Sequence, residues 1–451
     1  MKFSILVAAL ALAGCAEIVR APQPALPEVP ASFQHADASA AASLRADWWQ
    51  LFDDAQLAQL VEQALQQSTS VQAATARLRQ ARALSGLSDA ARLPQLDLSL
   101  ASTRQGGSAQ TTPGTLHALR LGASYEVDLM GRLSDASRAA RLDATAAAQL
   151  LAQARLLVQA DVAQNYFALR ALDAERALML ATVTAYQESL DLTLRRQAQG
   201  DLSELDVERL RAEVNATRAR ALALERQRQS LESTLAVLVG ARPGAFHLDE
   251  AMWDGKLPAV PAGLPSTMLA RRPDLAAARA SLDAADLRIE AARHAWFPSL
   301  SLTMAGGSAS SELSQLLKGG AGLWGAQALL STPLFDGGRR TAGVQAAAGA
   351  ADLAAADYRA QLLQAFKDVE DQLAALQLLQ AQEAVQASAV QSAARALLLS
   401  ESRYRNGMIG QLEVLDARRT ELASRQQALQ VKAARFQATV ALIKALGGGW
   451  S

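Results

Sequence analysis

The run Leu116-His117-Ala118-Leu119-Arg120-Leu121-Gly122-Ala123-Ser124-Tyr125-Glu126-Val127-Asp128-Leu129-Met130-Gly131-Arg132 carries one structural period and hands over to another. Up to Leu129 the chain alternates. Leu119, Leu121, Ala123, Tyr125, Val127 and Leu129 fall on one side of an extended strand, and Arg120, Ser124, Glu126 and Asp128 fall on the other. From Arg132 to Gln199 there is no proline and no glycine, and alanine and leucine abound, which predicts about 68 residues of helix, roughly 100 Å at 1.5 Å per residue. A helix of that length belongs to a coiled-coil-like rod or wall and not to a compact domain. The strand has about the 9 to 11 residues that a tilted strand needs to cross a bilayer. A soluble hairpin with one face on a core alternates in the same way.

The same order recurs roughly two hundred residues later, the mark of an internal repeat. Val71 to Leu78 and the following Leu93-Pro94-Gln95-Leu96 match Leu275 to Leu282 and Phe297-Pro298-Ser299-Leu300. Met130-Gly131-Arg132 matches Gly337-Gly338-Arg339, and Gly200 with Leu205-Asp206-Val207 matches Gly407 with Leu412-Glu413-Val414. Each copy reads as helix, strand, loop, strand, very long helix, tight turn and long helix. Apolar residues from Asp53 to Arg92 recur at helical spacing until Pro94 ends the helix. Strands are expected over 94–103, 116–129, 297–306 and 323–335. Leu96, Leu98 and Leu100 alternate, as do Leu300, Leu302 and Met304, then Trp324, Ala326, Ala328 and Leu330, with Leu329 out of step. The second long helix is expected from Arg339 to Asn406, with Gly343 and Gly349 inside it. Gly200 and Gly407 end the long helices, and Ser203-Glu204-Leu205-Asp206 is a capping-box pattern whose place is taken in the second copy by Gly410. The copies occupy 47–240 and 268–451, joined by a non-helical linker, 241–267.

The fold class that follows is mainly α with a membrane β-barrel contribution: a long-helix α-barrel plus four transmembrane strands per chain. Four strands cannot close a barrel, and open sheet edges are forbidden in lipid, so copies must assemble. Two copies give eight strands with a side-chain-filled interior, whereas three give twelve strands and an open lumen. A conduit therefore calls for at least a trimer.

The chain begins with Met1-Lys2-Phe3 and an apolar run from Ser4 to Ala13, too short to span a bilayer and typical of a signal peptide, residues 1–14. Leu12-Ala13-Gly14-Cys15 resembles the bacterial lipobox, which implies a lipid (palmitate) on Cys15. Ala16 follows where an aspartate would imply retention at the inner membrane, so the resemblance points to the outer membrane of a Gram-negative bacterium. Residues 15–46, rich in proline and then in alanine and serine, read as an extended tether. Composition narrows the functions further. Forty-four basic residues balance 44 acidic ones, which removes nucleic acid as a partner. The single cysteine excludes an intrachain disulfide and a cysteine zinc cluster, and His35, His117, His247 and His294 have no metal-ligand spacing. With no nucleophile beside a base and no phosphate-binding loop, the expectation is a non-enzyme with no cofactor beyond the covalent lipid.

Trp48-Trp49 with Phe52-Asp53-Asp54, Tyr125 to Arg132, Arg271-Arg272-Pro273-Asp274-Leu275, Pro333-Leu334-Phe335-Asp336-Gly337-Gly338 and the terminal Ala445-Leu446-Gly447-Gly448-Gly449-Trp450 together resemble the TolC/OprM outer-membrane efflux family, in its lipid-anchored NodT-like branch. The resemblance spans nearly all of the chain beyond the lipobox. It implies a homotrimer in outer-membrane lipid, with a twelve-stranded barrel continued by a helical tunnel through the periplasm. It further implies an exit duct of a tripartite pump, partnered by a periplasmic adaptor protein and an inner-membrane pump. The competing reading is a periplasm-spanning structural lipoprotein without a pore.

The same resemblance puts the tunnel entrance at the two glycine turns. Glu413 and Asp416, three apart on one helix face, stand where a relative carries acidic rings, and threefold repetition would concentrate their charge at the narrowest point. Both are also first-turn acids favoured by the helix dipole. For Asp206, capping and pore roles stay equally open. Gly200, Leu202, Ser203, Gly407, Met408 and Ile409 are the expected adaptor-docking tips. Ile409 stands where the relative has an arginine that locks the closed state, which puts closure by that ion pair in doubt.

Overall fold

A computed structural model describes residues 30, 32–34, 47–106, 114–251, 253–258, 260, 271–318 and 322–449. Cys15 and the signal peptide lie outside the described residues. A 3-10 turn, Trp48–Phe52, leads into helices α1 (Ala55–Gln67) and α2 (Thr69–Ala90). Asp54 caps α1 by accepting from the Leu57 amide at 3.0 Å, and Leu57, Leu60, Val61 and Ala64 form its buried stripe. The single helix expected over Asp53–Arg92 is thus two. Ser68 interrupts it with extended backbone (ψ 127°), although no proline or glycine marks the break. The break coincides with a close approach: Gly240, at φ +73°, lies so near that a Cβ there would stand 2.7 Å from the Gln67 carbonyl oxygen.

Strands β1 (Gln95–Gln105) and β2 (Gly114–Val127) precede α3 (Arg132–Ala198) and α4 (Glu204–Leu238). After a 3-10 turn at Pro243–Ala245 come α5 (Pro273–His294), β3 (Ser299–Ser310), β4 (Gly322–Ser331), α6 (Arg339–Arg405) and α7 (Gln411–Ala445). The repeat is kept to the residue in its helices: α3 and α6 each have 67 residues, and α4 and α7 each have 35. Gly343 and Gly349 do not interrupt α6. All four ends close alike. Gly200, Gly240, Gly407 and Gly447 take positive φ, and in each case the glycine and the next residue donate to the carbonyls three and five residues back. That is the Schellman motif, which satisfies the orphan carbonyls of the last turn.

Strand limits differ from expectation for readable reasons. β4 stops at Ser331 and not at 335, because Pro333 offers no donor to a ladder and Asp336 turns back to accept from the Gly338 and Arg340 amides. β2 stops at Val127 because Asp128 turns to cap α3, accepting from the Leu133 and Ser134 amides at 3.0 and 2.8 Å. β1 and β3 run on to Gln105 and Ser310, beyond the limits 103 and 306.

The compact units cut across the two sequence repeats. One holds Ala76–Gln149 and Ala276–Gln361, including all four strands; the other holds the described parts of Pro27–Thr75, Leu150–Leu275 and Leu362–Ser451. The second unit has an aromatic core. Trp48 is fully buried and donates its indole N–H to Gln159. The Phe52 ring lies 4.8 Å from Phe167, Phe167 lies 4.8 Å from Phe436, and Trp253 lies 4.9 Å from Phe436. Tyr166 donates to Asp54 at 2.7 Å, and burial pushes its pKa up to about 12. Part of the expected tether belongs to this core: Phe33 is buried in it, and the Gln34 amide donates to Glu370.

Residues after α4 form a docked strap. Leu248 is buried and Phe246, Trp253 and Leu257 pack on the core. Arg170 donates to the Asp249 carbonyl at 2.7 Å, Arg228 donates to the Leu248 carbonyl, and Glu232 accepts from the Leu248 amide. Arg170 and Arg228 share buried Asp173, at 3.0 and 2.7 Å. Burial works against the Arg228 charge, but its bond to Asp173 wins and raises its pKa.

Candidate functional site

The four strands form one antiparallel sheet in the order β1-β2-β3-β4, so the second strand of one repeat pairs with the first of the other. Register decides what each face presents. Leu98 lies opposite Leu121, Leu121 opposite Gly306, and Gly306 opposite Trp324; one rung away the row is Leu96, Ala123, Met304 and Ala326. Further rows place Tyr125, Leu302 and Ala328 together, then Val127, Leu300 and Leu330. Over these rows one face is therefore apolar, and it turns polar beyond them at Ser102, His117, Ser308 and Ser310. The other face carries Asp97, Ser99, Arg120, Ser124, Ser301, Thr303 and Gln327, interspersed with alanines and with Leu116, Leu323 and Leu329 as its large apolar residues. β1 and β4 are solvent-exposed along their whole lengths, and each has one unpaired edge. Such a sheet has the two-faced pattern of a barrel segment in lipid.

At the helix-proximal strand ends the apolar exposure continues. Trp296 and Phe297 precede β3, and Leu334 and Phe335 follow β4 with 93% and 91% of their surface open. The Arg340 guanidinium sits 4.4 Å above the Trp296 ring. Aromatic residues in this place suit a membrane–water boundary. Among the described residues no helix is long and apolar enough to cross a membrane.

In the other unit, the turns after α3 and α6 have the same backbone but different side chains. Gly200 and Gly407 supply the left-handed corners, at φ +84° and +70°. Ser203 caps α4: it accepts from the Asp206 amide at 3.4 Å, and its hydroxyl donates to the Asp206 carboxylate at 2.7 Å. Asp206 also lies 3.8 Å from Arg209. The capping side of its expected dual role is therefore present. In the second turn Gly410 caps α7 without a side-chain bond, and Glu413 and Asp416 are both exposed. Their spacing puts them on one helix face. Leu202 and Ile409 are partly covered, while Met408, Leu205 and Leu412 are exposed.

The sequence reading missed the bonds that tie these helices together beside the turns. Arg418 donates to the Ala185 carbonyl, to Ser189 and to Glu401, so it links α7 with α3 and α6. Gln411 donates to Thr193 at 2.8 Å, and Arg419 binds Glu213. The aromatic residues in the same place, Tyr186 and Tyr404, stack under Arg418 and Arg196. The only sequence signal was an arginine repeated at helical spacing, which a solvated face also shows.

Comparison with known proteins matches this geometry. The family model described as "Outer membrane efflux protein" covers residues 60–241 and 264–448. The cation efflux system protein CusC of Escherichia coli O157:H7 is 33% identical over 452 residues, 98% of this chain and 97% of CusC. The toluene efflux pump outer membrane protein TtgF of Pseudomonas putida is 33% identical over 411 residues, 90% of this chain and 85% of TtgF. Among solved structures, the outer-membrane channel OprN superposes with a TM-score of 0.87 at 29% identity, covering 95% of this chain and 99% of that one. A two-faced sheet, paired long helices and these matches agree: the chain belongs to the outer membrane efflux protein family and serves as an exit duct of an efflux system in the outer membrane, reaching into the periplasm.

Proposed function

We propose that three copies of the chain close a twelve-stranded barrel and a helical tunnel, forming the passive exit duct of a tripartite efflux system. The observation that supports this most directly is the four-stranded sheet with one apolar face and an unpaired edge on each side. In lipid both edges must pair, and three copies are the smallest closed set that leaves a lumen wide enough to conduct. The chain acts as a conduit and not as a catalyst, and its only covalent group is a lipid on Cys15 that holds the complex at the outer membrane.

The turns at Gly200 and Gly407 form the periplasmic end. Leu202, Ser203, Met408 and Ile409 dock a periplasmic adaptor, through which an inner-membrane pump drives export. Glu413 and Asp416 ring the entrance, so that up to six carboxylates face one another around the axis. This favours cations and makes closure cost electrostatic work. Asp206 contributes mainly as a cap.

Single-channel recording of the purified lipidated protein in planar bilayers tests this reading. Cation-preferring pores from a trimeric protein are expected, with the preference lost in Glu413→Ala/Asp416→Ala. A folded trimer whose parent form, with its carboxylates opposing closure, conducts nothing would count against the duct and for a pore-free spacer. Loss of membrane retention in Cys15→Ser tests the anchor.

A further inference from the structure

The strands meet their helices at Gln95, Val127, Ser299 and Ser331, so with the helices reaching into the periplasm the opposite strand ends point to the cell exterior. Followed outward, the apolar face has a sharp limit. Leu100 and Leu119 are its last large apolar pair, in a row completed by Ser308 and Gly322. One step further the row is Ser102, His117 and Ser310, with His117 directly opposite both serines. Arg104 stands on the same face, two residues beyond Ser102 and diagonal to His117. Opposite residues on one face hold their Cβ atoms about 5 Å apart and diagonal ones about 7 Å, so His117 is within one side-chain length of each of the other three.

All four side chains donate: two hydroxyls, an imidazole N–H and the guanidinium fork. Ser102 and Arg104 are exposed, and His117 and Ser310 are half-buried. The Ser310 hydroxyl oxygen accepts from the Glu312 amide at 3.2 Å, which leaves its O–H free to donate. Among the described residues no carboxylate pairs with Arg104. The connection after β3 adds Glu312 and Lys318, one charge of each sign, so Arg104 leaves this outer margin net positive. Asp97 and Arg120 are on the opposite face of the sheet.

The charge and the four donors call for an anion with several acceptor oxygens. Free phosphate would leave bare the apolar rows directly inward, where Leu98, Leu100 and Leu121 are more than half exposed. A lipid uses both parts. We propose that the rung of Ser102, His117 and Ser310, with Arg104, is a headgroup site for an anionic lipid of the outer leaflet, its phosphate accepting from these four residues and its acyl chains lying along Leu100 and Leu119 towards Leu98 and Leu121. The β1 edge stays free to pair with a neighbouring copy, because pairing uses backbone groups in the plane of the sheet while the phosphate sits on its face. The site rests on the sheet standing in lipid. It is independent of the entrance ring, and its four residues belong to one chain.

Dioleoylphosphatidic acid is the probe, against dioleoylphosphatidylcholine, which has the same chains but a trimethylammonium group that meets Arg104 with like charge. Full-length lipidated protein in detergent micelles holding equal amounts of the two is read by native mass spectrometry, which shows both the bound lipids and the number of associated copies. Phosphatidic acid is expected to be retained about tenfold over phosphatidylcholine, the yield of one charge-assisted hydrogen bond. In Arg104→Gln/His117→Gln that preference should fall to near unity, whereas Arg104→Lys keeps the charge and should keep most of it. Arg339→Gln, at the helix-proximal boundary, should leave it unchanged. A parent without preference overturns the proposal. So does a preference undiminished in the double variant, or one lost equally in Arg339→Gln, which would put the anion at the inner boundary. Absence of a three-copy species would count against the closed barrel, and the lipid preference, read per copy, decides this site separately.

Discussion

The turns after α3 and α6 are copies of one backbone that place their acids and arginines differently. In the first, Asp206 sits beside its capping partner Ser203 and within 3.8 Å of Arg209, so its charge is absorbed locally. In the second, the residues at the matching positions are Gly410, Glu413 and Asp416: the cap has no side chain, and both acids stand exposed with no arginine between them. The Schellman closures are the same in both. Duplication preserved what the backbone needs and released what the side chains do, so the turns place their acids differently: Asp201, Glu204 and Asp206 at the first, Glu413 and Asp416 at the second. An acid repeated three apart is ambiguous in a single helix. Beside a twin that holds Asp206 and Arg209 at the same two positions, it is a difference that substitution can test.

The largest expected effect comes from giving the second turn the charges of the first. Asp416→Arg recreates the acid–arginine spacing of Asp206 and Arg209, and would replace the proposed ring of up to six carboxylates by a balanced one. The cation preference of the pore should fall about tenfold, the lower end of what focused charge does to local ion concentration. Asp206→Asn should leave it within measurement error. Reversal potentials under a salt gradient check both, and equal effects from the two would show that both turns line the entrance.

Next come the shared corners. No atom lies within 4 Å of a Cβ built at Gly200 or at Gly407, so Gly200→Ala and Gly407→Ala each cost only the left-handed conformation, roughly 1–2 kcal/mol. Amide exchange over the first turn of the following helix should quicken to the same degree in both. A smaller effect, about 1 kcal/mol, is expected for Ser203→Ala, which deletes the α4 cap. It should quicken exchange in α4 and leave α7 untouched.

Much of this was legible in the sequence because the signals were periodic or conformational. Period-two alternation located four strands, the absence of proline, and in the first copy of glycine too, located two helices of equal length, and the glycine corners located the turns. What stayed hidden depended on contacts distant in sequence. The pairing of β2 with β3 has no local mark, since either strand alternates whichever neighbour it takes. Ser68 breaks a helix with no breaker in its own sequence, where Gly240 closes on Gln67. Phe33 reads as part of a proline-rich tether until the core that buries it is assembled. Arg418 looks like any arginine on a wet helix until Ala185, Ser189 and Glu401 surround it. The candidate acids were found from their positions, but the distinction between Asp206 and Glu413 required the hydrogen bonds.

The smallest effect is the sharpest check on the comparison. Gly410→Ser installs in the second turn the cap that the first has. Gly410 has the extended backbone of an N-cap, φ −81° and ψ 172°, close to the φ −83° and ψ 156° of Ser203, so serine enters without strain. The nearest obstacle to its Cβ is the Glu413 carboxylate, at 3.1 Å, the tip of a flexible exposed side chain. Glycine is only a few tenths of a kcal/mol worse than serine as a cap, so α7 should gain about that much and its first-turn amides should exchange slightly more slowly. The new hydroxyl would also draw Glu413 into the bond that Ser203 makes with Asp206. If Glu413 is part of the entrance ring, that diversion should lower the cation preference modestly while stability rises. A gain in stability with no change in selectivity would leave Asp416 as the sole charge that matters at the second turn.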